Sequence, residues 1–367
     1  MSDAMQIFLA TAPGLEAALV REARAKGFAD PRAVPGGVEV SGGWPDVWRA
    51  NLDLRGAGRV LVRLGSFRAM HLAQLDKRAR KFPWGASLRA DVPVRVEVTC
   101  RKSRIYHARA AAERIERALV EGLGVTLSPE AALVVKVRIE DDLCTISVDS
   151  SGAALHIRGH KEYVGKAPMR ENLAALFLAE CGFDGVEPVI DPMCGSGTFV
   201  IEAAEIAAGM QPGRSRRFAF EDLASFDADA WAAMKRDTVP TGPVRYFGFD
   251  RDDGAIRGAT ANAERAGVSA VTEFRRQAIS DLTPPEGPPG LVIVNPPYGA
   301  RIGNRKLLFS LYGALGKTLS DRFAGWRVGL VTSDGGLAKA TGLPWGAPGK
   351  AVSFGGLKVT LWQAGPL

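Results

Sequence analysis

The sequence predicts an α/β chain in which a helix-covered parallel sheet over residues 165–367 follows a smaller α+β module. Three observations carry that expectation. Downstream of Gly165, solid apolar runs (PVI at 188–190, VRYFGFD at 244–250, LVIVN at 291–295, RVGLVTS at 327–333) alternate with helical stretches. Such runs belong to strands buried on both faces, as in parallel sheets flanked by helices. Upstream, the strand-like segments instead alternate apolar and polar residues, as half-buried strands do. Charge is also divided: between Arg59 and Arg109 there are 13 Lys/Arg against three acids (Asp76, Asp91 and Glu97), so this stretch carries +10 of a chain whose total is +7.

MQIFLATAPGLEAALVREARAKGF predicts a short strand, a turn at Pro13-Gly14 and an amphipathic helix. GGVEVSG (36–42) alternates as a strand, WPDVWRANLDL reads as a second helix, and RVLVRLGSF (59–67) as another strand. VPVRVEVTC (92–100) puts Val92, Val94, Val96 and Val98 on one face, with Arg95 and Glu97 on the other. A basic turn then enters a helix that Gly122 and Gly124 stop. ALVVKVRIEDDLCTISVDSSG reads as two strands joined by an acidic turn, and ALHIRGHKEY (154–163) is expected to add one more strand. Residues 209–243 lengthen the link between the first two apolar strands and are expected to form a helical insertion. AVSFGGLKVTLWQAG closes the chain as a hairpin through Gly355-Gly356, expected at an antiparallel edge.

At 367 residues and 46% hydrophobic composition, the chain is long enough for two or three domains with sizeable cores. No apolar run approaches the roughly 18–20 residues that span a bilayer. The start, MSDAMQIFLATAPG, lacks the basic and long apolar regions of a signal peptide. Cys100, Cys144, Cys181 and Cys194 lie far apart, with no CxxC pair or histidine cluster beside them, so neither a disulfide framework nor a metal centre is expected. A reduced, cytoplasmic protein is the expectation. The local basic excess points to a polyanionic partner such as nucleic acid.

VIDPMCGSGTFVIEAAEIA (189–207) is the most specific stretch: a strand ending in Asp191, a glycine turn, then a helix. Gly195 and Gly197 let the backbone approach a ligand, and the helix start presents free N–H groups. The spacing lacks the third glycine of a dinucleotide fingerprint, and no lysine follows Gly197 as in a phosphate loop. An acid at the strand end suits a cationic, amino-acid-bearing ligand better than a pyrophosphate. Asp250 closes the next apolar strand, where a carboxylate can accept both hydroxyls of a ribose. Asp281, in QAISDL, follows a further expected strand and could reach an adenine amine. The ordered set Asp191, Gly195, Gly197, Asp250 and Asp281 describes a pocket for S-adenosylmethionine at the carboxyl edge of a parallel sheet.

NPPYG (295–299) stops the run Leu291–Val294 with an amide, two prolines and an aromatic ring. The exocyclic amine of a purine is a poor nucleophile, because its lone pair is delocalised into the ring. Two acceptors on its two hydrogens favour tetrahedral geometry: the Asn295 side-chain oxygen and the Pro296 carbonyl, which Pro297 biases to an extended conformation. Tyr298 offers a stacking face, worth roughly 1–3 kcal/mol, and Gly299 lets the chain turn away. A sulfonium methyl needs no metal, and alignment supplies on the order of 7–11 kcal/mol. A paired or stacked base must be flipped out to enter. Asn295 disfavours carbon-5 pyrimidine chemistry, which needs a nucleophilic cysteine, and Cys194 is expected to be a small packed residue of the loop. His71, His107, His156 and His160 all precede the catalytic part and are expected at the surface or facing RNA.

DPMCGSGTFVIEAA, GFDRD and NPPYG, in that order, resemble the motifs of class I S-adenosylmethionine-dependent methyltransferases. KAPMRENLAALFL (166–178) resembles the segment before the first strand in their amino-methylating branch. The N-terminal part resembles a THUMP domain with a ferredoxin-like companion, in element order and basic character. The whole chain is similar to THUMP-domain RNA guanine-N2 methyltransferases, among them the N-terminal half of the bifunctional large-subunit rRNA enzymes. The resemblance implies a Rossmann-like sheet of order 3-2-1-4-5-7-6 in 165–367, behind a ferredoxin-like part (1–64) and a THUMP RNA-binding domain (65–160). It implies that Asp191 and the Gly195–Gly197 turn hold the methionine part, Asp250 the ribose and Asp281 the adenine edge. Met193, Cys194, Ser196, Thr198 and Arg251 fall within the same motifs and count among the cofactor residues. Asn295, Pro296, Pro297 and Tyr298 would hold the methyl acceptor.

Two cation–aromatic clusters in the basic module suit phosphates and bases. One is Arg101, Lys102 and Arg104 with Tyr106 and His107, joined by Arg109; the other is Lys77, Arg78, Arg80 and Lys81 with Phe82 and Trp84. Under the resemblance they grip structured RNA. The implied reaction is methylation of a guanosine N2 amine, in 23S rRNA ahead of tRNA. Adenine-N6 transfer shares the clamp, as does glutamine-N5 transfer, which the basic module disfavours. From another class, an RNA chaperone on an inactive methyltransferase fold is the alternative. Guanine over adenine rests on the resemblance, not on a residue.

Overall fold

The computed structural model describes residues 4–165, 168–298 and 305–367. It divides into two compact units. One comprises the chain up to Thr11 with Val20–Leu155 and Arg216–Lys235; the other comprises Ala12–Leu19, His156–Ser215 and Arg236–Leu367.

The first half of the chain runs β1 (Met5–Ala10), α1 (Glu16–Ala25), β2 (Ala29–Val34), β3 (Gly37–Gly42), α2 (Trp44–Asp53), β4 (Arg59–Arg68), α3 (Leu72–Ala79), β5 (Val94–Arg101), α4 (Ala108–Leu123), β6 (Leu133–Glu140) and β7 (Leu143–Asp149). Its strands form one seven-stranded sheet, β2-β3-β1-β4-β7-β6-β5. Ile7, Leu9, Val38, Val40, Val60 and Val62 alternate along β1, β3 and β4 and are buried. β4 joins the two halves of the sheet, pairing antiparallel with β1 and with β7. Residues 64 and 65, where the sequence suggests a boundary, lie inside it. The acidic turn between β6 and β7 holds Asp141 and Asp142 at φ 51° and 63°, the left-handed pair of a tight hairpin.

The chain continues through α5 (Glu171–Glu180), β8 (Val189–Asp191) and α6 (Thr198–Ala207). The expected helical insertion then contains one short helix, α7 (Ala228–Met234), after a 3-10 turn at Ala219–Asp222. Its aromatic residues pack with Trp48 of α2. Trp48 stacks near Phe220 at 6.2 Å, Phe220 stacks on Phe218 at 5.3 Å, and Trp231 stands edge-on to Phe220 at 4.9 Å. That cluster is why Arg216–Lys235 belongs to the first unit although it interrupts the second in sequence.

The remaining elements are β9 (Tyr246–Asp250), α8 (Asp253–Ala266), β10 (Thr272–Arg276), β11 (Leu291–Val294), α9 (Arg305–Arg322), β12 (Arg327–Thr332), α10 (Gly335–Ala340), β13 (Val352–Phe354) and β14 (Leu357–Ala364). The second sheet is β10-β9-β8-β11-β12-β14-β13. Counted from β8, this is the order 3-2-1-4-5-7-6. β8, β9, β10, β11 and β12 are parallel, whereas β14 runs antiparallel to both β12 and β13. β8 and β11 are buried along their whole length, which accounts for their unbroken apolar sequence. Among the described residues no helix is long and apolar enough to cross a membrane.

The strand expected over 154–163 does not form. Ile157, which the alternation would bury, is 53% exposed, whereas Arg158 and His160 are buried. Side-chain pairing rather than a strand ladder fixes this segment: Arg158 Nε lies 3.1 Å from Glu202 Oε1 on α6. His160 is therefore not a surface residue as expected. Its Nδ1 lies 3.9 Å from Glu205 Oε1, and burial pushes the imidazole pKa down, which favours the neutral ring. Glu202 and Glu205 are both fully buried on α6, and Arg214 also reaches Glu205 at 2.5 Å.

Candidate functional site

The carboxyl edge of the second sheet collects the motif residues of that unit. β8 ends at Asp191, which is 3% exposed and accepts one hydrogen bond, from the Met193 N–H at 3.1 Å. Burial pushes its carboxyl pKa up to about 8; the Met193 N–H opposes the shift, and the neighbouring Asp250 adds to it. The loop then curls back on β9. Cys194 N–H donates to the Phe249 carbonyl at 2.9 Å, and Gly195 N–H to Asp250 Oδ2 at 3.1 Å. Asp250 Oδ1 accepts from Asp252 N–H at 3.0 Å, so each carboxylate oxygen keeps one lone pair beyond its backbone bond.

Gly197 caps α6 at φ 79°, and a Cβ there would come within 3.0 Å of the Phe274 ring and 3.1 Å of Ala259. Glycine is therefore required for two reasons, left-handed backbone and close packing. Gly195 is also left-handed, at φ 53°, but a Cβ there would meet nothing within 4 Å. The loop is packed on one side and open at Gly195. Cys194 packs among Ile256, Ala259 and Phe274, and burial pushes its thiol well up, so it is a packed thiol rather than a nucleophile.

Two residues outside the expected set hold this loop. Asn262 of α8 is fully buried; its Nδ2 donates to the Ser196 carbonyl and to the Tyr163 carbonyl, both at 3.1 Å. Its Oδ1 accepts from the Glu162 and Tyr163 N–H groups at 3.1 and 3.2 Å. Lys161 donates to Thr198 Oγ1 at 2.9 Å and to the Met169 carbonyl at 2.8 Å. It also lies 3.3 Å from Glu171 Oε1, a carboxyl that burial pushes up and Lys161 pulls down. The signal for Asn262 is in the sequence: it falls in the apolar stripe Ala255, Ile256, Ala259, Ala263 and Ala266 of α8, where a lone amide needs partners.

β11 pairs with β8 in the register Leu291↔Val189 and Val292↔Ile190, so Asn295 lies two residues beyond the level of Asp191. Its Oδ1 is buried and has no hydrogen-bond partner among the described residues, and the same holds for the Tyr298 hydroxyl. Burial pushes Tyr298 up to about 12, which keeps the phenol protonated. Its ring is 7% exposed, more enclosed than the open stacking face expected. Tyr312 of α9 supports the corner from behind, with its hydroxyl 3.4 Å from the Pro297 carbonyl and 3.2 Å from Thr332 Oγ1. Gly299 and Lys166–Ala167 of the expected motifs lie outside the described residues.

Asp281 is an exposed residue of a 3-10 turn after β10, on a segment tied to β9 by the Gln277 N–H bond to the Asp250 carbonyl at 2.9 Å. Its carboxylate meets Ser280 Oγ at 3.2 Å and makes no described contact with the glycine loop. Arg251 is exposed, and its carbonyl accepts from Arg276 at 3.2 Å. A cavity of about 450 Å³ opens at the other edge of the unit, among Val186, Ala207, Pro240, Thr241, Arg245 and Tyr246. Arg245, its one charged lining residue, is bound to the Val186 carbonyl, so this cavity lacks the polar constellation of the carboxyl edge.

In the first unit, α3 and α4 pack side by side. Arg104 meets Met70 Sδ at 3.2 Å before α3, and Arg80 pairs with Glu121 at the far ends of both helices. The two basic clusters therefore sit at opposite ends of one helix layer. Their cations are partly neutralised: Arg80 pairs with Asp76 at 2.8 Å, Arg101 with Glu140 at 3.6 Å and Arg104 with Asp142 at 3.7 Å. Lys77, Arg78, Lys81 and Lys102 are exposed. Tyr106 is 71% exposed, with its ring 4.1 Å from that of His107. His71 is exposed, as expected, and caps α3, accepting from Gln74 N–H at 3.3 Å.

Comparison with known proteins agrees with this architecture. Residues 158–359 match the family model of the RMKL-like methyltransferase domain, and residues 6–61 match that of the RlmL ferredoxin-like domain. A ribosomal RNA large subunit methyltransferase K/L from Psychromonas ingrahamii is 33% identical over 366 residues, covering 95% of this chain and 48% of the relative. The chain thus spans about half the length of the curated relatives it matches. Among solved structures, the methyltransferase SMU.472, crystallised with SAH, superposes with a TM-score of 0.87 at 26% identity, over 99% of this chain and 98% of its own. A predicted N6-adenine-specific DNA methylase from Listeria monocytogenes gives 0.87 at 28%, over 99% and 96%. With its catalytic unit covered by that model and its glycine loop and Asn-Pro-Pro-Tyr corner on one sheet edge, the chain belongs to the RMKL-like methyltransferase-domain family.

Proposed function

We propose that the protein transfers a methyl group from S-adenosylmethionine to the exocyclic N2 amine of a guanosine in large-subunit rRNA. The observation that carries this reading is the Asn295 Oδ1: a buried, unpartnered acceptor on the edge that also bears Asp191 and the glycine loop. A buried acceptor without a donor costs stability, and an aromatic NH2 group supplies the missing donor.

The residues fit the cofactor. The buried Asp191 carboxyl needs a cation before it can hold its charge, and an amino-acid ammonium is one. The loop opens at Gly195, where a ligand can lie against the backbone. Asp250 keeps one lone pair on each oxygen for ribose hydroxyls. The cofactor supplies an activated methyl on a sulfonium. The protein would contribute alignment: Asn295 Oδ1 and the Pro296 carbonyl would accept the two amine hydrogens and so orient the nitrogen lone pair for attack. The nitrogen becomes cationic as the new bond forms, and its surplus proton leaves to solvent.

The test is methyl transfer from labelled S-adenosylmethionine to rRNA from cells lacking the protein, followed by mass spectrometry of the digested nucleosides. N2-methylguanosine is the expected product. Adenine-N6 transfer is the second reading, because adenine carries an equivalent amine and the Listeria neighbour is described as such an enzyme; N6-methyladenosine in the digest would replace guanine with adenine. Label in tRNA alone would move the substrate, and cofactor binding with no label in any RNA would reject transfer.

A further inference from the structure

We propose that Phe309 and Arg305, on the exposed face of α9 beside the Asn295–Tyr298 corner, form a stacking platform for the nucleotide that flanks the target base. The proposal rests on the RNA methyl-transfer reading and adds a path for the strand past the site. α9 buries Leu308, Tyr312, Leu315 and Leu319 against its own unit. Tyr312 ties the helix to the corner through its hydroxyl, 3.4 Å from the Pro297 carbonyl. Phe309 lies about one turn closer to the helix start and is 36% exposed. A Cβ on Gly336, in the first turn of α10, which follows β12, would sit 3.8 Å from its ring tip, so the ring lies at the carboxyl edge that carries the corner.

The chemistry of this face fits a nucleotide. Arg305 holds its guanidinium carbon 5.7 Å from the Phe309 ring centroid. Ring and cation together offer a stacking surface with a phosphate partner beside it. The first turn of α9 carries Arg305 and no acid, although the helix dipole there favours carboxylates. An anion relieves that conflict. Asp334, the acid of the adjoining turn, is turned to the Gly336 N–H at 2.8 Å. A base flipped into the corner draws its own strand across this rim, so the occupant is continuous with the proposed substrate.

The test uses the full-length protein, protein-free large-subunit rRNA from cells lacking it, and S-adenosylhomocysteine as the cofactor probe. Phe309→Ala should lower kcat/KM for that RNA about 5- to 150-fold, the range of one lost base stack. Phe309→Trp should restore it to within about twofold, and S-adenosylhomocysteine affinity should stay within about twofold in both. Arg305→Gln should make the slope of log affinity against log salt shallower by about 0.7, the loss of one phosphate contact on a single strand. RNA affinity, kcat/KM and salt slope all unchanged would overturn the platform. If Phe309→Ala fails to fold, the Arg305→Gln slope decides alone. If the wild type binds the rRNA but transfers no methyl, the functional reading fails while affinity and salt slope still judge the platform.

Discussion

Replacing Asp191 by Asn should weaken cofactor binding, raise stability at alkaline pH and abolish a proton release, three effects with one origin. The free carboxyl is buried and has a pKa of about 8, so at pH 7 roughly nine in ten molecules carry it protonated. An amino-acid ammonium beside it selects the carboxylate, so binding must expel the proton. Wild-type affinity should therefore rise about tenfold per pH unit between pH 6 and 7 and level off near 8. The ligand's own amine loses its charge at about the same pH, which gives the profile a maximum there. Titration calorimetry of S-adenosylhomocysteine at pH 6.5, in buffers of different ionisation enthalpy, should give close to one proton released per site. Asn keeps the acceptor for Met193 N–H but not the charge, so at pH 8 it should bind about 10- to 150-fold more weakly, the worth of a hydrogen bond to a charged group. Stability moves the other way. The folded pKa lies above the unfolded value of 3.8, so the stabilising contribution is complete below about pH 4 and is lost as pH rises to about 8. The loss is at most about 1.4 kcal/mol per unit, and Asp191→Asn should remove it. Binding without proton release at pH 6.5, together with a flat affinity profile from pH 6 to 8, would refute the reasoning.

Asn295→Ala should cut kcat by about 10²–10³-fold, as the loss of one positioned polar group does, with S-adenosylhomocysteine affinity nearly unchanged in calorimetry; activity equal to wild type would sink the clamp. Arg158→Ala leaves Glu202 buried without that guanidinium and should lower unfolding free energy by about 3–5 kcal/mol, read from urea midpoints. Arg101→Glu combined with Lys102→Glu should weaken rRNA binding at fixed salt without altering cofactor affinity; unchanged RNA affinity would reduce that turn to a solvated face.

The second sheet was legible because burial on both faces writes itself into sequence as unbroken apolar runs, as at Leu291–Val294. The glycine loop was legible because left-handed backbone and close packing at Gly197 leave one residue type. What stayed hidden depends on partners far along the chain. β2, ADPRAV, is mostly exposed and contains a proline, so no alternation marks it; pairing with β3 creates it. Phe220 and Phe226 carry no sign in sequence that they meet Trp48, nor do Phe218 and Trp231 that they pack against Phe220. The alternation at 154–163 misled because Arg158 and His160 are buried by acids on α6, which a period of two cannot express. Lys161 is hidden for a related reason, since it bonds the Met169 carbonyl and Thr198 across the chain, whereas Asn262 is marked as a lone amide in the apolar stripe of α8 but its partner, the Ser196 carbonyl of the glycine loop, is not.

The polar groups on the carboxyl edge share a property that bears on mechanism. Asp191, Asp250, Asn295 Oδ1 and the Pro296 carbonyl are all acceptors. Of the described side chains weighed as a base, Cys194 is packed with its thiol pushed well up, Tyr298 is pushed up to about 12, and His160 is buried beside the α6 acids. A reaction that had to remove a proton before bond formation would be poorly served by this set. Attack by an aromatic amine on a sulfonium methyl has no such need, because the nitrogen sheds its proton only after it has become a strong acid. What it requires is two fixed acceptors and a fixed donor carbon. The site therefore spends its structure on rigidity, with Tyr312 and Thr332 behind the corner and Asn262 and Lys161 behind the glycine loop. It follows that kcat should show no ionisation between pH 6 and 9 once cofactor and RNA are saturating, since the Asp191 proton has already left on binding. An ionisation of kcat inside that window would mean that a base acts in the transfer step.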